Sequence, residues 1–86
     1  MKYLHIIKDP AETFAWQVAE GQAHGGHEVA VLLWQDGVLS TRASALPLYA
    51  TATDLEARGI PAGRVKAVDY REVVELVFQH DRVTCW

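Results

Sequence analysis

Cys85 is the strongest nucleophile of this 86-residue chain and its only cysteine. A thiolate attacks sulfur and carbon electrophiles, so Cys85 is a candidate for redox chemistry or for carrying sulfur, and Arg82 nearby can favour the thiolate. The alternative is structural, because cysteine is often buried and the flanking Val83 and Trp86 indicate a strand at the edge of the core. A lone cysteine excludes an internal disulfide and a zinc site built from several sulfurs.

Imidazole is the commonest transition-metal ligand, and the chain has four histidines. They are His5, His24, His27 and His80. His24 and His27 flank a glycine pair that is typical of a solvated loop, and no pair has metal-ligand spacing on a predicted helix. We therefore predict no metal site.

The spacing of the carboxylates and glycines also does not indicate a catalytic or cofactor site. Asp69 and Glu72 have the spacing of a helix capping box, which accounts for them without acid–base catalysis. The turn after the first predicted strand, Lys8-Asp9-Pro10-Ala11, lacks the glycines that let a pyrophosphate approach the backbone. Its aspartate would also repel an anion at the helix start. We therefore expect no ATP, NAD or other cofactor.

Three tryptophans are many for so short a chain, and not all of them can be central to one core. The first predicted helix has an apolar face made by Phe14, Ala15, Val18 and Ala19. Trp16 points to the other side of this helix, so we predict that it contacts another subunit, and Trp86 is a second candidate. Trp34 is predicted to lie in the core.

Charge and hydropathy exclude several classes of partner. Eleven acidic against eight basic side chains give a net charge of −3, with no run of Lys and Arg, which argues against direct binding of nucleic acid. The longest apolar stretch, residues 29–34, is far shorter than the ~20 residues that cross a membrane. The first residues lead into a strand pattern rather than a secretory signal. The sequence thus predicts a cytoplasmic protein without membrane contact.

Strand and helix patterns alternate along the chain with short connections. Five strands are predicted, at residues 3–7, 29–33, 46–50, 65–68 and 82–86. Capping-box pairs open three helices: Asp9 with Glu12, Thr53 with Glu56, and Asp69 with Glu72. A short helix is also predicted within residues 38–45.

This alternation predicts the α/β class: one three-layer Rossmann-like or flavodoxin-like domain over residues 1–86. Its sheet would be mainly parallel, with helices on both faces. Because a domain of this size hides only about two-thirds of its unfolded surface, self-association is expected as well.

Several segments match a known family in order and spacing. They are Leu32-Leu33-Trp34-Gln35-Asp36-Gly37-Val38, Pro47-Leu48-Tyr49-Ala50, Asp54-Leu55-Glu56-Ala57-Arg58-Gly59-Ile60, Val68-Asp69-Tyr70, the helix ending at His80, and Trp86. Together they resemble the small sulfur-relay proteins of the DsrE/DsrF/DsrH and TusB/TusC/TusD group, and within it the TusB/DsrH branch.

The resemblance implies a subunit of an oligomer that passes persulfide sulfur between protein cysteines. In one branch the sulfur ends in the 2-thiouridine of the tRNA wobble base, and another branch serves dissimilatory sulfur oxidation. Catalytic subunits of the group carry a cysteine in a mid-chain loop, and some DsrH members carry one in the first helix. Here residues 39–53 and 14–22 contain none. The resemblance therefore favours a structural or docking subunit that works with related subunits.

Two alternatives stay open at the level of the sequence. Cys85 can itself be the sulfur carrier of a transferase. The chain can also be a stand-alone homo-oligomer that binds a small ligand at the carboxyl ends of its strands, near Lys8, Gln35 and Thr51.

Overall fold

A computed structural model describes residues 1–63 and 65–86. The strands are β1 (Lys2–Ile7), β2 (Glu28–Leu33), β3 (Leu48–Thr51), β4 (Lys66–Val68) and β5 (Arg82–Cys85). The helices are α1 (Phe14–His24), α2 (Ala52–Ala57) and α3 (Tyr70–Gln79), and a 3₁₀ turn covers Gln35–Leu39. The described part of the chain thus alternates strand and helix as predicted, with boundaries that differ by a few residues.

The strands form one parallel sheet in the order β4-β3-β2-β1-β5. The chain steps from β1 to β4 in one direction, and α3 then carries it back across the sheet to β5. Right-handed crossovers in opposite directions place helices on opposite faces, so α1 and α2 cover one face and α3 the other. The predicted three-layer α/β fold is confirmed.

Each face of the sheet has its own hydrophobic core. The core on the α1 face includes Ile7, Trp16, Val31, Leu33 and Leu48. The core on the α3 face includes Leu4, Ile6, Leu32, Val73 and Leu76. Since β2 supplies both cores, it has the unbroken apolar run of a strand that is buried on both faces.

Trp16 is a correction to the sequence-based prediction. It is 1% exposed and belongs to the core, so it cannot be a subunit contact in this fold. Two features bury it: the helix turns its small Ala15 and Ala19 toward the sheet, and the segment after the 3₁₀ turn lies beside the helix. The Arg42 guanidinium lies 5.4 Å from the Trp16 ring centre and also bonds Glu20 on α1.

Of the three predicted capping boxes, the one on α3 is confirmed. Asp69 Oδ1 accepts from the Glu72 N–H at 2.8 Å, and Glu72 Oε1 accepts from the Asp69 N–H at 3.2 Å. The box predicted at Asp9 is wrong, because Asp9 Oδ1 accepts from the Ala11 N–H in a turn and α1 begins later.

The box predicted at Thr53 is also wrong, because α2 already begins at Ala52 and its N-cap residue is Thr51. The helix predicted within residues 38–45 is instead the end of the 3₁₀ turn followed by irregular chain. A close approach sets this turn, since a Cβ on Gly37 would lie 2.0 Å from the Ile7 carbonyl oxygen. Only glycine fits there.

Candidate functional site

Cys85 lies on the outer strand of the sheet, and its side chain is exposed. It pairs with Ile6 of β1, near the carboxyl end of both strands, and therefore shares the α3 face of the sheet with Ile6. Arg82 lies three positions earlier on the same strand and so points to the opposite face. The arginine suggested as a thiolate partner is thus on the wrong side of the sheet.

Trp86 follows Cys85 and attaches the end of β5 to β1. Its backbone N–H donates to the Ile6 carbonyl at 2.9 Å, and its indole N–H donates to His5 Nδ1 at 3.0 Å. Its ring meets the Phe14 ring edge to face, at 5.8 Å between centres. Trp86 is half-buried and Phe14 is 61% exposed, so the two rings form an aromatic surface at this edge of the sheet.

His5 is the buried polar centre of this cluster, only 1% exposed. An indole N–H can only donate, so His5 Nδ1 accepts from Trp86 and the ring proton lies on Nε2. Nε2 is 2.7 Å from Gln22 Oε1 on α1, which accepts that proton. Both nitrogens of a neutral imidazole are therefore satisfied, and the ring links β1, α1 and the end of β5.

The other histidines lie elsewhere. His24 and His27 are exposed near the turn after α1, and His80 Nδ1 is 2.6 Å from the Leu76 carbonyl at the end of α3. Among the described residues, no three His, Cys, Asp or Glu side chains gather so as to hold a metal ion.

A second polar cluster surrounds Asp54 on α2, at the carboxyl ends of β2 and β3. Asp54 Oδ2 accepts from the Gln35 N–H at 2.8 Å and from the Thr51 hydroxyl. Arg58 donates to Asp54 Oδ1 at 3.3 Å and, with two other nitrogens, to Asp36 Oδ1 at 3.1 and 2.8 Å. The cluster holds Gln35 in a left-handed conformation, with φ of 54°.

The protonation of this cluster follows from its contacts. Burial alone would raise the pKa of Asp54, but the hydrogen bonds from Thr51 and Gln35 and the charge of Arg58 outweigh burial and lower the pKa. The hydrogen bond to Asp36 and the two carboxylate charges raise the pKa of Arg58. Asp54 is therefore a stable carboxylate at neutral pH.

This network lies at the strand ends where a small-ligand site was predicted. Gln35 and Thr51 both donate to Asp54, and Lys8 is exposed at the neighbouring strand end. The Gln35 backbone N–H and the Thr51 hydroxyl thus already donate to Asp54. This use of the two groups weakens the hypothesis of a stand-alone ligand-binding protein.

The helix α3 carries the largest exposed aromatic side chains. Tyr70 is 78% and Phe78 is 83% exposed, and Val77 and Val83 are about a third exposed. The sequence analysis did not identify this surface, although Tyr70, Val74, Val77 and Phe78 recur at i, i+4, i+7 and i+8. No helix in the described ranges has the length and hydropathy to cross a membrane.

No sequence pattern indicated the His5–Trp86 and Asp54–Gln35 contacts. His5 and Trp86 are 81 positions apart, and Asp54 and Gln35 are 19 apart. Such contacts depend on the strand order and on the path of the loops, which neither periodicity nor motif spacing specifies.

Comparison with known proteins agrees with this geometry. The crystal structure of the YchN protein from E. coli superposes with a TM-score of 0.77 at 14% sequence identity, covering 100% of both chains, and so shares the fold. No curated protein matches the sequence. The family model described as "DsrH like protein" matches residues 19–83. Because this match covers most of the sequence, the chain belongs to the DsrH-like family.

Proposed function

We propose that this protein is a docking subunit of a persulfide-transfer complex rather than the subunit that carries the sulfur. Membership of the DsrH-like family supports a sulfur-relay role. The observation that carries the proposal is the position of the only thiol: the family match ends at residue 83, before Cys85. Residues 39–53, where catalytic members of the group carry their cysteine, contain none. The reactive cysteine is therefore supplied by a related subunit.

Two pathways fit such a complex, namely 2-thiolation of the tRNA wobble uridine and sulfur oxidation. The net charge of −3 supports a component that leaves any tRNA contact to its partner. The chain would then be without catalytic activity of its own.

The surface best suited to the partner is the aromatic pair of Phe14 and Trp86. It lies at the carboxyl edge of the sheet, and Phe14 exposes more than half of its surface without a covering side chain among the described residues. Aromatic side chains of this kind are enriched at the centres of protein interfaces. Trp86 thus remains a predicted interface residue, now with Phe14 beside it.

The docking role is tested by co-expression with cysteine-bearing sulfur-relay subunits encoded with the protein. We expect the chain to co-purify with one of them, and Phe14→Glu to weaken that association at least ~10-fold, because it places a charge in the apolar contact. Gln17→Glu adds the same charge to an exposed site of the same helix and should have little effect. Circular dichroism melts of both variants check that the fold is intact.

The docking surface is refuted if Phe14→Glu, folded as the parent, associates as tightly as the parent. A chain that associates with none of the subunits refutes the docking role itself.

A second candidate function follows from the exposure of Cys85. In that case the Cys85 thiolate attacks the outer sulfur of a partner's persulfide, the partner's S–S bond breaks, and the partner leaves as a thiolate. Cys85 then holds the persulfide and passes its outer sulfur to the next thiolate in the same way. No net oxidation occurs in either step.

Intact mass spectrometry after incubation with a cysteine desulfurase and L-cysteine separates the two functions. The docking role predicts no added sulfur and equal transfer through complexes with the parent chain or Cys85→Ser. A sulfur adduct on the parent, together with loss of transfer in Cys85→Ser, would establish the carrier instead.

A further inference from the structure

The exposed flank of α3 is the largest apolar feature that the proposed function leaves unused. We propose that α3 pairs antiparallel with α3 of a second copy of the chain, about a two-fold axis that passes beside Val74. The pairing follows from the helix itself and does not depend on the sulfur-relay role.

Four residues form the contact surface, which we call the α3 stripe: Tyr70, Val74, Val77 and Phe78. Their i, i+4, i+7, i+8 spacing places them side by side along one flank of the helix. Val73 and Leu76 are the residues of α3 that face the sheet, so the stripe is additional to the core contact. Tyr70 and Phe78 retain most of their exposed surface.

The opposite flank of α3 is polar and already has neighbours. Glu72, Glu75 and Gln79 line a cleft with Lys66 of β4 and Tyr49 of β3. The stripe therefore faces the other way, toward the β5 edge of the sheet. Val83, 37% exposed on the α3 face of β5, extends the apolar surface there.

The order of residues in the stripe makes it self-complementary. Tyr70 and Phe78 lie four positions before and four positions after Val74. An antiparallel copy centred on Val74 therefore places each Tyr70 against the partner's Phe78, and the two Val74 side chains against each other. A row with i±4 spacing is also the ridge that packs into the groove of a second helix.

The charges beside the stripe complement each other under the same symmetry. Arg71 and Glu75 lie on the solvent side of α3, at the margin where the polar flank meets the stripe, and form an exposed ion pair within the helix, 3.5 Å apart. A two-fold axis beside Val74 keeps this margin on the same side in both copies, with Arg71 near the partner's Glu75. The stripe itself contains no charge, so pairing leaves no charge buried.

The exposed area fits a small interface that forms a weak dimer. From their exposed fractions, the two aromatic rings contribute about 300 Å² per chain, against about 800 Å² per partner in a standard interface. The valines, Val83 and the stems of Arg71 and Glu75 add to this area. The resulting interface is of modest size, so the dimer should dissociate on dilution.

Sedimentation velocity across a dilution series of the purified chain tests the pairing. The parent is expected to be a dimer that dissociates on dilution, and Phe78→Arg should raise the dissociation constant at least ~30-fold. Gln79→Arg places the same charge one residue further on, on the polar flank, and should leave the dimer intact. Melts of the dilute monomers check that both variants fold.

Exchanging the charges of Arg71 and Glu75 tests whether the two α3 helices pair antiparallel. Arg71→Glu gives a chain with two acidic residues at the margin, and Glu75→Arg gives one with two basic residues. Antiparallel pairing predicts that each variant alone dimerises more weakly than the parent and that a mixture forms heterodimers preferentially.

A parent chain that stays monomeric throughout overturns the proposal, as does a dimer that Phe78→Arg leaves unchanged. A stripe that binds only a related sulfur-relay subunit overturns it too, while supporting the docking role.

Discussion

At the scale of single residues, the half-buried Asp54 carboxylate connects two loops. It ties the Gln35 backbone, the Thr51 hydroxyl and Arg58 to the start of α2. Since Gln35 has a left-handed backbone without being glycine, the hydrogen bond to Asp54 offsets an unfavourable conformation. The Asp54 carboxylate is therefore expected to stabilise the carboxyl edge of the sheet.

Replacing Asp54 with Asn should lower the free energy of unfolding by about 1 kcal/mol at neutral pH, because charge-assisted hydrogen bonds are lost at a site still partly open to water. The folded pKa of Asp54 lies below its ordinary value of 3.8, so its contribution is complete above that pH and disappears as the pH falls through the folded pKa. The difference between parent and Asp54→Asn should thus shrink below about pH 4.

Urea unfolding of both proteins from pH 7 to pH 2.5 measures this difference. Asp36→Asn is the matched control, since Asp36 is 66% exposed and should contribute less. A difference that stays constant down to pH 2.5 would contradict the role given to the Asp54 carboxylate.

The sequence alone predicted some of the candidate site residues correctly and placed others wrongly. The single thiol was evident from composition, and its exposure follows from the position of β5 at the sheet edge. Trp16 was misassigned because helical spacing alone gave its direction, whereas the segment carrying Arg42 covers it. The partners of His5 were beyond prediction, since Gln22 and Trp86 come from distant parts of the chain.

At the scale of elements, α3 is the helix whose start was predicted correctly from a capping box. The capping box of Asp69 and Glu72 satisfies two backbone N–H groups that the helix cannot satisfy itself. Asp69→Ala should therefore lower the free energy of unfolding by about 1 kcal/mol. Asp9→Ala, which removes a carboxylate from a turn rather than from a helix, should cost clearly less.

Thermal or urea unfolding monitored by circular dichroism makes this comparison. An equal loss of unfolding free energy in the two variants would contradict a stabilising role of the Asp69 capping box.

The element boundaries show where local sequence patterns are enough to place a strand or a helix. The apolar runs of β1 and β2 predicted buried parallel strands because both strands are covered on two faces. The predicted start of α1 was wrong because Asp9 caps a turn rather than a helix, and that of α2 was wrong because the helix already begins at Ala52, after Thr51. The 3₁₀ turn was missed because it depends on the close approach of Gly37 to Ile7 of β1, which is distant in the sequence.

At the scale of the whole molecule, β5 is the least protected part of the sheet. Its four residues are all exposed, and among the described strands it pairs with β1 alone. The Asp81 N–H bonds the Lys2 carbonyl at one end, and Trp86 bonds Ile6 and His5 at the other. These end contacts add to the parallel ladder that β5 forms with β1 along all four of its residues.

Hydrogen exchange should show this arrangement directly. The amides of β5 should exchange faster than those of β2, and Trp86→Phe should speed exchange in β5 about five- to ten-fold, since it removes the indole donor and leaves His5 Nδ1 unpaired. The β2 amides in the same sample serve as the internal reference. Unchanged β5 exchange in Trp86→Phe would contradict the role of the indole.

The α/β class and the parallel sheet were predictable at this scale, because alternating strand and helix patterns with short connections leave few other architectures. The strand order was not, since no local signal tells on which side of β1 the last strand lies. The position of Cys85 beside Ile6 depends entirely on that order.

The pairing of β1 with β5 also has a consequence for how the chain folds. The Lys2 N–H meets the Asp81 side chain across 79 positions, so this pairing closes a far longer loop than the other strand pairs. Contacts of such separation form slowly. Until β5 arrives, β1 is an open edge that can accept β5 from a neighbouring molecule. Refolding at high concentration should therefore trap strand-exchanged dimers, distinct from helix-paired ones in that they separate only by unfolding β5.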